Sequence, residues 1–214
     1  MRKRKHDDQE ESKNKRSRIV DVEYKLPTLL KKDEIIIVKS NNPLYLQILL
    51  GLKVVRAGVV PYSSDKNGLL WLLLGRKKSA KLTDFGGGCK LRKNEYLINC
   101  AMREYQEETM NQIVSPFAEG TIDFHMENKT ATTFIIGTGA IPWATIFYQY
   151  PTDSSIPIDF KSTDEIDGIS WYNIDHILYH REMIDPPFRS VILKMWRKSV
   201  KVQNFSNWFY NVIT

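Results

Sequence analysis

Apolar and polar positions along the chain follow two patterns, and the first is that of buried β-strands. Residues Val54 to Tyr62 and Leu69 to Gly75 are almost continuously apolar, and the turn-forming segment Ser63 to Gly68 separates them. Short apolar runs bounded by turn residues are typical of strands that are covered on both faces. Similar β-branched or aromatic runs predict further strands at 35–38, 120–126, 130–137, 143–150 and 168–172.

The second pattern has the helical period of 3.6 residues. One arc of a helix collects the apolar residues Leu97, Ile98, Ala101, Met102 and Tyr105. A second amphipathic stretch runs from Phe188 to Lys201, directly after Pro186-Pro187, which can open a helix. Strands before and after one helix, with another helix near the end, predict an α/β fold in which a mixed sheet is covered on both faces.

Three glutamates lie at the end of the first predicted helix. Glu104, Glu107 and Glu108 are three and four residues apart, so they are neighbours on the helix surface. Glu108 falls inside the apolar arc and Glu104 at its edge, whereas a solvated acidic face would lie opposite that arc. Like charges at this spacing repel, partial burial adds to the cost, and a divalent cation would offset both. Mg²⁺ is the natural candidate because it prefers oxygen ligands and keeps waters and substrate phosphates in its shell.

The residues around these glutamates resemble a known signature. Glu95, seven intervening residues and then Arg103-Glu104-Tyr105-Gln106-Glu107-Glu108 are similar to the signature of the Nudix hydrolases. Two positions depart from that signature: Cys89 and Met110 stand where it has glycine. After Met110, Asn111 tolerates the left-handed conformation better than most residues, so the helix exit is expected to be displaced by one residue.

The resemblance implies a fold, a reaction and a cofactor. The fold would be the Nudix α/β/α sandwich with a mixed β-sheet, over roughly residues 52–200. The reaction would be hydrolysis of a diphosphate linkage in a nucleoside diphosphate joined to another group, with Mg²⁺ or Mn²⁺ as cofactor. A metal site favours this reaction because it neutralises phosphate oxygens and generates the attacking hydroxide.

The resemblance also implies roles for single residues. Glu104, Glu107 and Glu108 would be metal ligands, and Arg103 would hold the side chain of Glu107 or Glu95. Glu95, Gly87 and Gly88 would support the loop, and Gly86-Gly87-Gly88 is expected to form a tight turn close to the helix. The general base would be Glu104 or a carboxylate from another loop, with Glu165 in Thr163-Asp164-Glu165-Ile166-Asp167-Gly168 as the candidate. An ordinary solvated loop acid is the alternative for Glu165.

Charge divides the 214 residues into a tail and a body. The net charge is +6, and residues 1–18 carry eight Lys/Arg against four Asp/Glu. This composition predicts a disordered basic tail at 1–18, followed by an N-terminal extension at 19–51 and a Nudix domain with a C-terminal helix at 52–214. Arg2-Lys3-Arg4-Lys5 and Lys15-Arg16-Ser17-Arg18 resemble a bipartite nuclear-import signal. A solubilising tail or a loose RNA tether is the alternative.

Two cysteines and the absence of a long apolar run bear on the compartment. Cys89 and Cys100 make neither a disulfide framework nor a pair at metal-binding spacing. No apolar segment follows the basic N-terminus, which argues against a signal peptide, and the run Leu69 to Leu74 is too short to cross a bilayer. We expect an intracellular protein, cytoplasmic, nuclear or both, with no membrane partner.

The substrate follows less directly from the sequence. Lys194, Arg197, Lys198 and Lys201 lie opposite the apolar face of the last helix, where they either contact RNA or form a solvated face. With the basic tail, and with a motif stretch that looks like the decapping Nudix enzymes of large DNA viruses, this favours the cap of mRNA as substrate. The alternatives are a small-nucleotide pyrophosphatase and a non-catalytic Nudix-like RNA-binding protein. His176 and His180 show no metal-binding motif.

Overall fold

The three-dimensional structure of the chain is a computed structural model. The structure describes residues 35–39, 49, 51–113, 132–137, 142–150, 160–199 and 205–213. The basic tail at 1–18, the strand predicted at 120–126 and Lys201 lie outside the described residues.

The described residues contain eight strands, and these include every strand predicted within them. Their bounds are β1 Ile35–Lys39, β2 Arg56–Ser64, β3 Leu70–Lys77, β4 Leu82–Thr83, β5 Phe85–Gly88, β6 Thr132–Gly137, β7 Trp143–Gln149 and β8 Ile166–Asn173. The β2–β3 hairpin turns at Asp65, whose carboxylate accepts the backbone N–H groups of Asn67 and Leu69. The short polar side chain thereby replaces a backbone turn partner.

All eight strands belong to one mixed sheet. The order along the main path is β1-β6-β7-β2-β3-β4, while β5 pairs with β2 and β8 pairs with β3. The β2–β7 pair is parallel, and the other pairs are antiparallel. The parallel pair leaves β2 and β7 buried along nearly their whole length, which explains their continuous apolar runs.

The glycine-rich stretch is a strand, which corrects the expectation of a tight turn. Gly86, Gly87 and Gly88 lie in β5 and pair antiparallel with β2. Together, β4 and β5 fill the space where β2 and β3 diverge, since β4 pairs with β3. A Cβ on Gly86 would overlap the backbone of Ala57 and Gly58 in β2. Gly86 therefore serves the close approach of two backbones, and none of the three glycines adopts a positive φ.

In the part of the chain that the structure describes, four α-helices with defined bounds flank the sheet: α1 Leu97–Thr109, α2 Ile174–Tyr179, α3 Pro186–Ser199 and α4 Phe205–Ile213. One core lies between α1 and the sheet and contains Val59, Leu73 and Ile146 with Ala101 and Tyr105. The other core contains the next residues along those strands, Val60, Leu74 and Phe147, together with Phe188 and Phe209. Successive strand residues point to opposite faces, so the sheet has helices on both sides. The predicted α/β/α sandwich is confirmed.

Helix α3 crosses the face of the sheet opposite α1. Near its start, the Asp185 carboxylate pairs with Lys77 of β3 at 3.3 Å. Near its end, Lys198 donates to the carbonyl of Ile35 in β1 at 3.0 Å. Because β1 and β3 lie towards opposite edges of the sheet, the basic end of α3 lies far from the β3 edge. Among the described residues, no helix is long and apolar enough to cross a membrane.

Candidate metal and phosphate site

The end of α1 faces an open cavity of about 750 Å³. Two loops complete its wall, one after β3 and one before β8. The lining residues are Lys78, Glu104, Glu107, Glu108, Met110, Ser162, Thr163, Asp164 and Glu165. The three helix glutamates and the loop acid predicted from the sequence thus lie around a single space, although they are far apart along the chain.

Glu108 is the buried member of this group. Only 4% of its surface is exposed, and its Oε2 accepts the backbone N–H of Gly86 at 2.7 Å. Burial, followed by repulsion from Asp84, raises the pKa of Glu108 to about 9. In the described part of the chain, no lysine or arginine forms an ion pair with Glu108. The side chain is therefore fixed in place without an ion-pair partner, and a metal would bind it as a carboxylate only by displacing its proton.

Arg103 connects the other glutamates. Its Nε and Nη2 donate to the two oxygens of Glu95 at 2.8 and 3.0 Å. Its Nη1 donates to Glu104 at 2.6 Å and to Glu107 at 3.0 Å. The sequence left Glu107 and Glu95 as alternative partners, and the structure shows that Arg103 holds both of them together with Glu104. A planar guanidinium suits this arrangement because its donors form a rigid fork.

Glu95 fixes the loop before α1. Its Oε2 also accepts the backbone N–H of Lys90 at 2.6 Å. The hydrogen bonds from Arg103, followed by the one from Lys90, lower the pKa of Glu95 to about 2. Glu95 does not line the cavity. This placement agrees with a supporting role for Glu95 and keeps it apart from the candidate metal ligands.

Strand β5 passes directly beside the glutamates. A Cβ on Gly87 would overlap the Glu104 carboxylate, whereas a Cβ on Gly88 would meet nothing within 4 Å. The Gly88 carbonyl accepts from Arg103 Nη2 at 3.0 Å. Gly87 thus provides the space for Glu104, and Gly88 contributes a backbone acceptor.

Beneath the cavity lies a charge pair that the sequence analysis did not single out. Asp84 is fully buried, and Arg56 donates to its two carboxylate oxygens at 2.9 and 2.6 Å. Arg56 also donates to the Gly86 carbonyl at 3.3 Å. The pair therefore holds the same peptide segment whose N–H contacts Glu108. Only spatial neighbours reveal it, because 28 residues separate its members.

Lys78 is the second residue that sequence reasoning missed. It follows β3 in a cationic run, Arg76-Lys77-Lys78, in which Arg76 pairs with Asp167 and Lys77 with Asp185. Within the described residues, Lys78 forms no ion pair, and it lines the cavity together with the glutamates. The sequence alone does not distinguish Lys78 from Arg76 and Lys77, because the difference lies in which of the three side chains forms an ion pair.

Helix α1 ends in two left-handed residues. Met110 and Asn111 have φ values of 49° and 56°. Asn111 takes the conformation expected of it, and Met110 takes it as well, although a side chain with a Cβ is strained there. The helix exit is therefore spread over two residues and is not displaced by one.

Cys89 and Cys100 are joined by a disulfide, which corrects the expectation that they form no such bond. Their Cα atoms are 5.2 Å apart, across a sequence separation of 11 residues. Spacing alone did not indicate the disulfide, because the distance between the two cysteines depends on the path of the loop between β5 and α1.

The remaining candidates lie away from the cavity. Lys194 lies with its Nζ 5.3 Å from the ring centre of Trp143, and Lys198 is bonded to the Ile35 carbonyl. Arg197 is exposed on α3. The rings of His176 and His180 are 4.6 Å apart, and neither residue lines the cavity.

Comparison with known proteins gives structural neighbours but no sequence relatives. No protein-family model matches the chain, and no curated protein sequence matches it. A Nudix hydrolase from M. smegmatis, RenU, aligns with 71% of this chain and 89% of its own, at 13% identity and a TM-score of 0.43. A NUDIX hydrolase from Nitrosomonas europaea aligns with 70% of this chain and 95% of its own, at 17% identity and a TM-score of 0.38. A C. elegans Ap4A hydrolase aligns with 70% of this chain and 99% of its own, at 18% identity and a TM-score of 0.38.

Two of these three neighbours are Nudix hydrolases. That is the family whose signature the segment from Glu95 to Glu108 resembles.

Proposed function

We propose that this chain is a Nudix hydrolase that uses Mg²⁺ or Mn²⁺ to cleave a diphosphate linkage in a nucleotide-derived substrate. One observation carries the proposal: Glu104, Glu107, Glu108 and Glu165 line one cavity together with Asp164 and Lys78. Five carboxylates together with a lysine suit a substrate that brings both a metal ion and phosphate groups.

The donor set fits a divalent cation. Glu108 is buried and forms no ion pair with a cationic side chain in the described residues. The Gly86 N–H donates to its Oε2, which leaves Oε1 for a metal. Glu104 and Glu107 each share one oxygen with Arg103 and keep the other for a metal. Oxygen ligands of this kind suit Mg²⁺ and Mn²⁺. When bound, such a metal ion neutralises phosphate oxygens and lowers the pKa of a coordinated water.

The chain's own residues orient the metal ligands, bind a phosphate and accept the proton of the attacking water. Arg103 and the Gly86 N–H orient the three helix carboxylates before the substrate arrives, which removes the cost of ordering them during the reaction. Lys78, in the cavity wall, contacts a phosphate of the substrate. Glu165 accepts the proton of the attacking water, because it is exposed in the cavity and the Glu104 oxygen nearest to Arg103 is already occupied.

The narrower substrate, capped RNA, remains a second candidate within this function. It is favoured by the resemblance of the motif stretch to viral decapping enzymes and by the basic tail. Helix α3 gives it less support than the sequence suggested, because Lys194 and Lys198 contact Trp143 and Ile35. A small nucleotide in which a nucleoside diphosphate is joined to another group needs only the cavity.

A substrate screen with product identification tests the proposal. Purified protein with Mn²⁺ is offered a nucleotide sugar, a dinucleoside polyphosphate, a free cap dinucleotide and capped RNA. We expect cleavage between two phosphorus atoms, and no turnover after removal of the metal with a chelator. Release of a capped nucleoside diphosphate from RNA alone selects decapping. Absence of hydrolysis across the panel, with RNA binding retained, would favour the non-catalytic alternative.

A further inference from the structure

The disulfide between Cys89 and Cys100 joins two parts of the candidate site. Cys89 precedes the loop that carries Glu95, and Cys100 lies in α1 three residues before Arg103. The two residues are the only cysteines of the chain. The bond therefore fastens the loop with Glu95 to the helix that presents its partner Arg103.

We propose that this pair is a site of reversible thiol–disulfide exchange with low-molecular-weight thiols and disulfides of the glutathione class. The two sulfur atoms differ in access, because Cys100 is fully buried while Cys89 is partly exposed. Exchange requires an incoming thiolate to reach one sulfur of the bond. The accessible sulfur is that of Cys89, so the mixed disulfide with glutathione forms there.

The exchange balances in two steps. In reduction, a glutathione thiolate attacks Cys89 Sγ, the bond between the two cysteines breaks, and Cys100 leaves as a thiolate that takes up a proton. A second glutathione thiolate then attacks the glutathione sulfur of the mixed disulfide and releases Cys89. Glutathione disulfide is the oxidised product and the protein dithiol the reduced one. Oxidation of the protein is the reverse, with glutathione disulfide as the oxidant.

Arg103 favours Cys100 as the leaving group. Its Nη2 lies 4.0 Å from Cys100 Sγ. A nearby cation stabilises a thiolate, and a more stable thiolate leaves faster. Arg103 orients Glu95, Glu104 and Glu107. Its guanidinium therefore also stabilises the negative charge that forms on Cys100 Sγ when the disulfide opens.

Opening the bond changes the surroundings of Glu95. Two unbonded sulfur atoms need more room than a covalent pair, and Cys100 cannot retreat within the packed face of α1. Cys89 is the residue that moves, and its neighbour Lys90 donates the backbone N–H that holds Glu95. Reduction thus loosens the contact between Glu95 and Arg103, and oxidation restores it.

Thiol counting across glutathione mixtures tests the exchange without any assay of activity. The full chain is equilibrated at a series of ratios of reduced to oxidised glutathione, quenched with an alkylating reagent and weighed by mass spectrometry. We expect a reversible change between the disulfide and the doubly alkylated form within the series, with the same midpoint from both directions. Cys100→Ser should accumulate one glutathione adduct on Cys89, whereas Cys89→Ser, whose remaining thiol is buried, should accumulate far less.

Three outcomes would overturn the proposal. The bond stays closed at every ratio, which makes it a permanent structural crosslink, or both thiols stay free at every ratio. The third outcome is zinc retained by the reduced protein in place of exchange, since the Cys89, Cys100 and Glu95 ligand atoms lie within 4.8 Å of one another. Melting temperatures of the variants show whether each one is folded, so that an unfolded variant is replaced by alanine at the same position.

A second readout rests on the proposed function. Hydrolysis of a nucleotide by the oxidised protein should exceed that of the reduced protein by about tenfold in kcat, because small displacements of positioning groups cost rate. The double variant Cys89→Ser/Cys100→Ser should show the lower rate at every glutathione ratio. If no substrate is hydrolysed in either state, the proposed function fails, while the thiol counting still decides the exchange.

Discussion

Helices α1 and α3 lie on opposite faces of the same sheet and differ in what surrounds their charged side chains. On α1, Glu108 is buried against β5, and a backbone N–H is its hydrogen-bond donor. On α3, Lys198 is bonded to the carbonyl of Ile35, and Lys194 lies over the ring of Trp143. The carboxylates of α1 are held in place around one cavity, whereas two of the basic side chains on α3 fasten the helix to its neighbours.

The comparison shows what separates a candidate site from an ordinary amphipathic helix. Both helices carry several like charges on one side, and both bury an apolar face. A charged side chain can bind a partner only if its own structure does not already satisfy it. The glutamates of α1 meet this condition because each keeps one carboxylate oxygen that neither Arg103 nor the Gly86 N–H uses. They line one cavity together with Asp164, Glu165 and Lys78.

The largest expected effect is that of Glu108→Gln. The amide keeps the size of the side chain but removes the charge that would bind the metal. We expect a loss of at least ~100-fold in kcat, or about 2.7 kcal/mol of transition-state stabilisation. Steady-state kinetics on the best substrate of the screen measure it. Glu182→Gln is the matched control, because Glu182 is exposed and lies outside the cavity. Equal kcat values for the two variants would contradict a role of Glu108 in catalysis.

The next effect concerns pH. Burial raises the pKa of Glu108 from 4.5 to about 9, so below that pH a metal must displace a proton. The dissociation constant for Mn²⁺ should therefore rise up to about tenfold for each unit by which the pH is lowered towards neutrality. Calorimetric titrations at several pH values measure it. A dissociation constant that does not change with pH would show that Glu108 does not bind the metal as a carboxylate.

The same pKa gives a sign for the stability of the metal-free protein. The folded state holds a proton on Glu108 that the unfolded state releases above 4.5. The stabilising contribution is complete below 4.5 and is lost as the pH rises towards about 9. In Glu108→Gln, this part of the pH dependence should be absent from chemical unfolding curves, and Mn²⁺ should not restore stability at high pH as it does in the wild type.

A smaller effect is expected on α3. The triple change Lys194→Gln, Arg197→Gln and Lys198→Gln should leave hydrolysis of a small nucleotide nearly unchanged. If the chain binds RNA, the slope of log affinity against log salt should flatten by about one unit or less, because Lys194 and Lys198 already have local contacts. Filter binding at several salt concentrations measures the slope. Flattening by about two units or more would place an RNA path on α3 after all.

The smallest expected effect is at the end of α1. Met110 has a φ of 49° and is exposed, so Met110→Gly removes strain without leaving a cavity. We expect a gain of about 0.5–1 kcal/mol in the free energy of unfolding, because glycine takes the left-handed conformation freely. Denaturant unfolding measures it. A loss of stability would show that the side chain of Met110 contributes more through packing than its backbone costs.

Local pattern and spacing predicted much of this structure. Apolar periodicity indicated α1 and α3, continuous apolar runs indicated β2 and β3, and the position of Glu108 within an apolar arc indicated burial. Pairing in three dimensions accounts for what local patterns missed. Gly86 to Gly88 form a strand only because β2 lies beside them, and Lys78 differs from Lys77 only because Asp185 pairs with the latter.

The most direct test of the central claim is to locate the metal. Crystals grown with Mn²⁺ and a non-hydrolysable diphosphate analogue would be examined by anomalous diffraction. We expect a peak about 2.0–2.2 Å from carboxylate oxygens of Glu104, Glu107 and Glu108, with phosphate oxygens in the same coordination shell and Lys78 in contact with the analogue. Two results would contradict this expectation. The first is a crystal in which Mn²⁺ fully occupies another site but gives no peak in this cavity. The second is a peak in the cavity that lies too far from Glu108 for coordination.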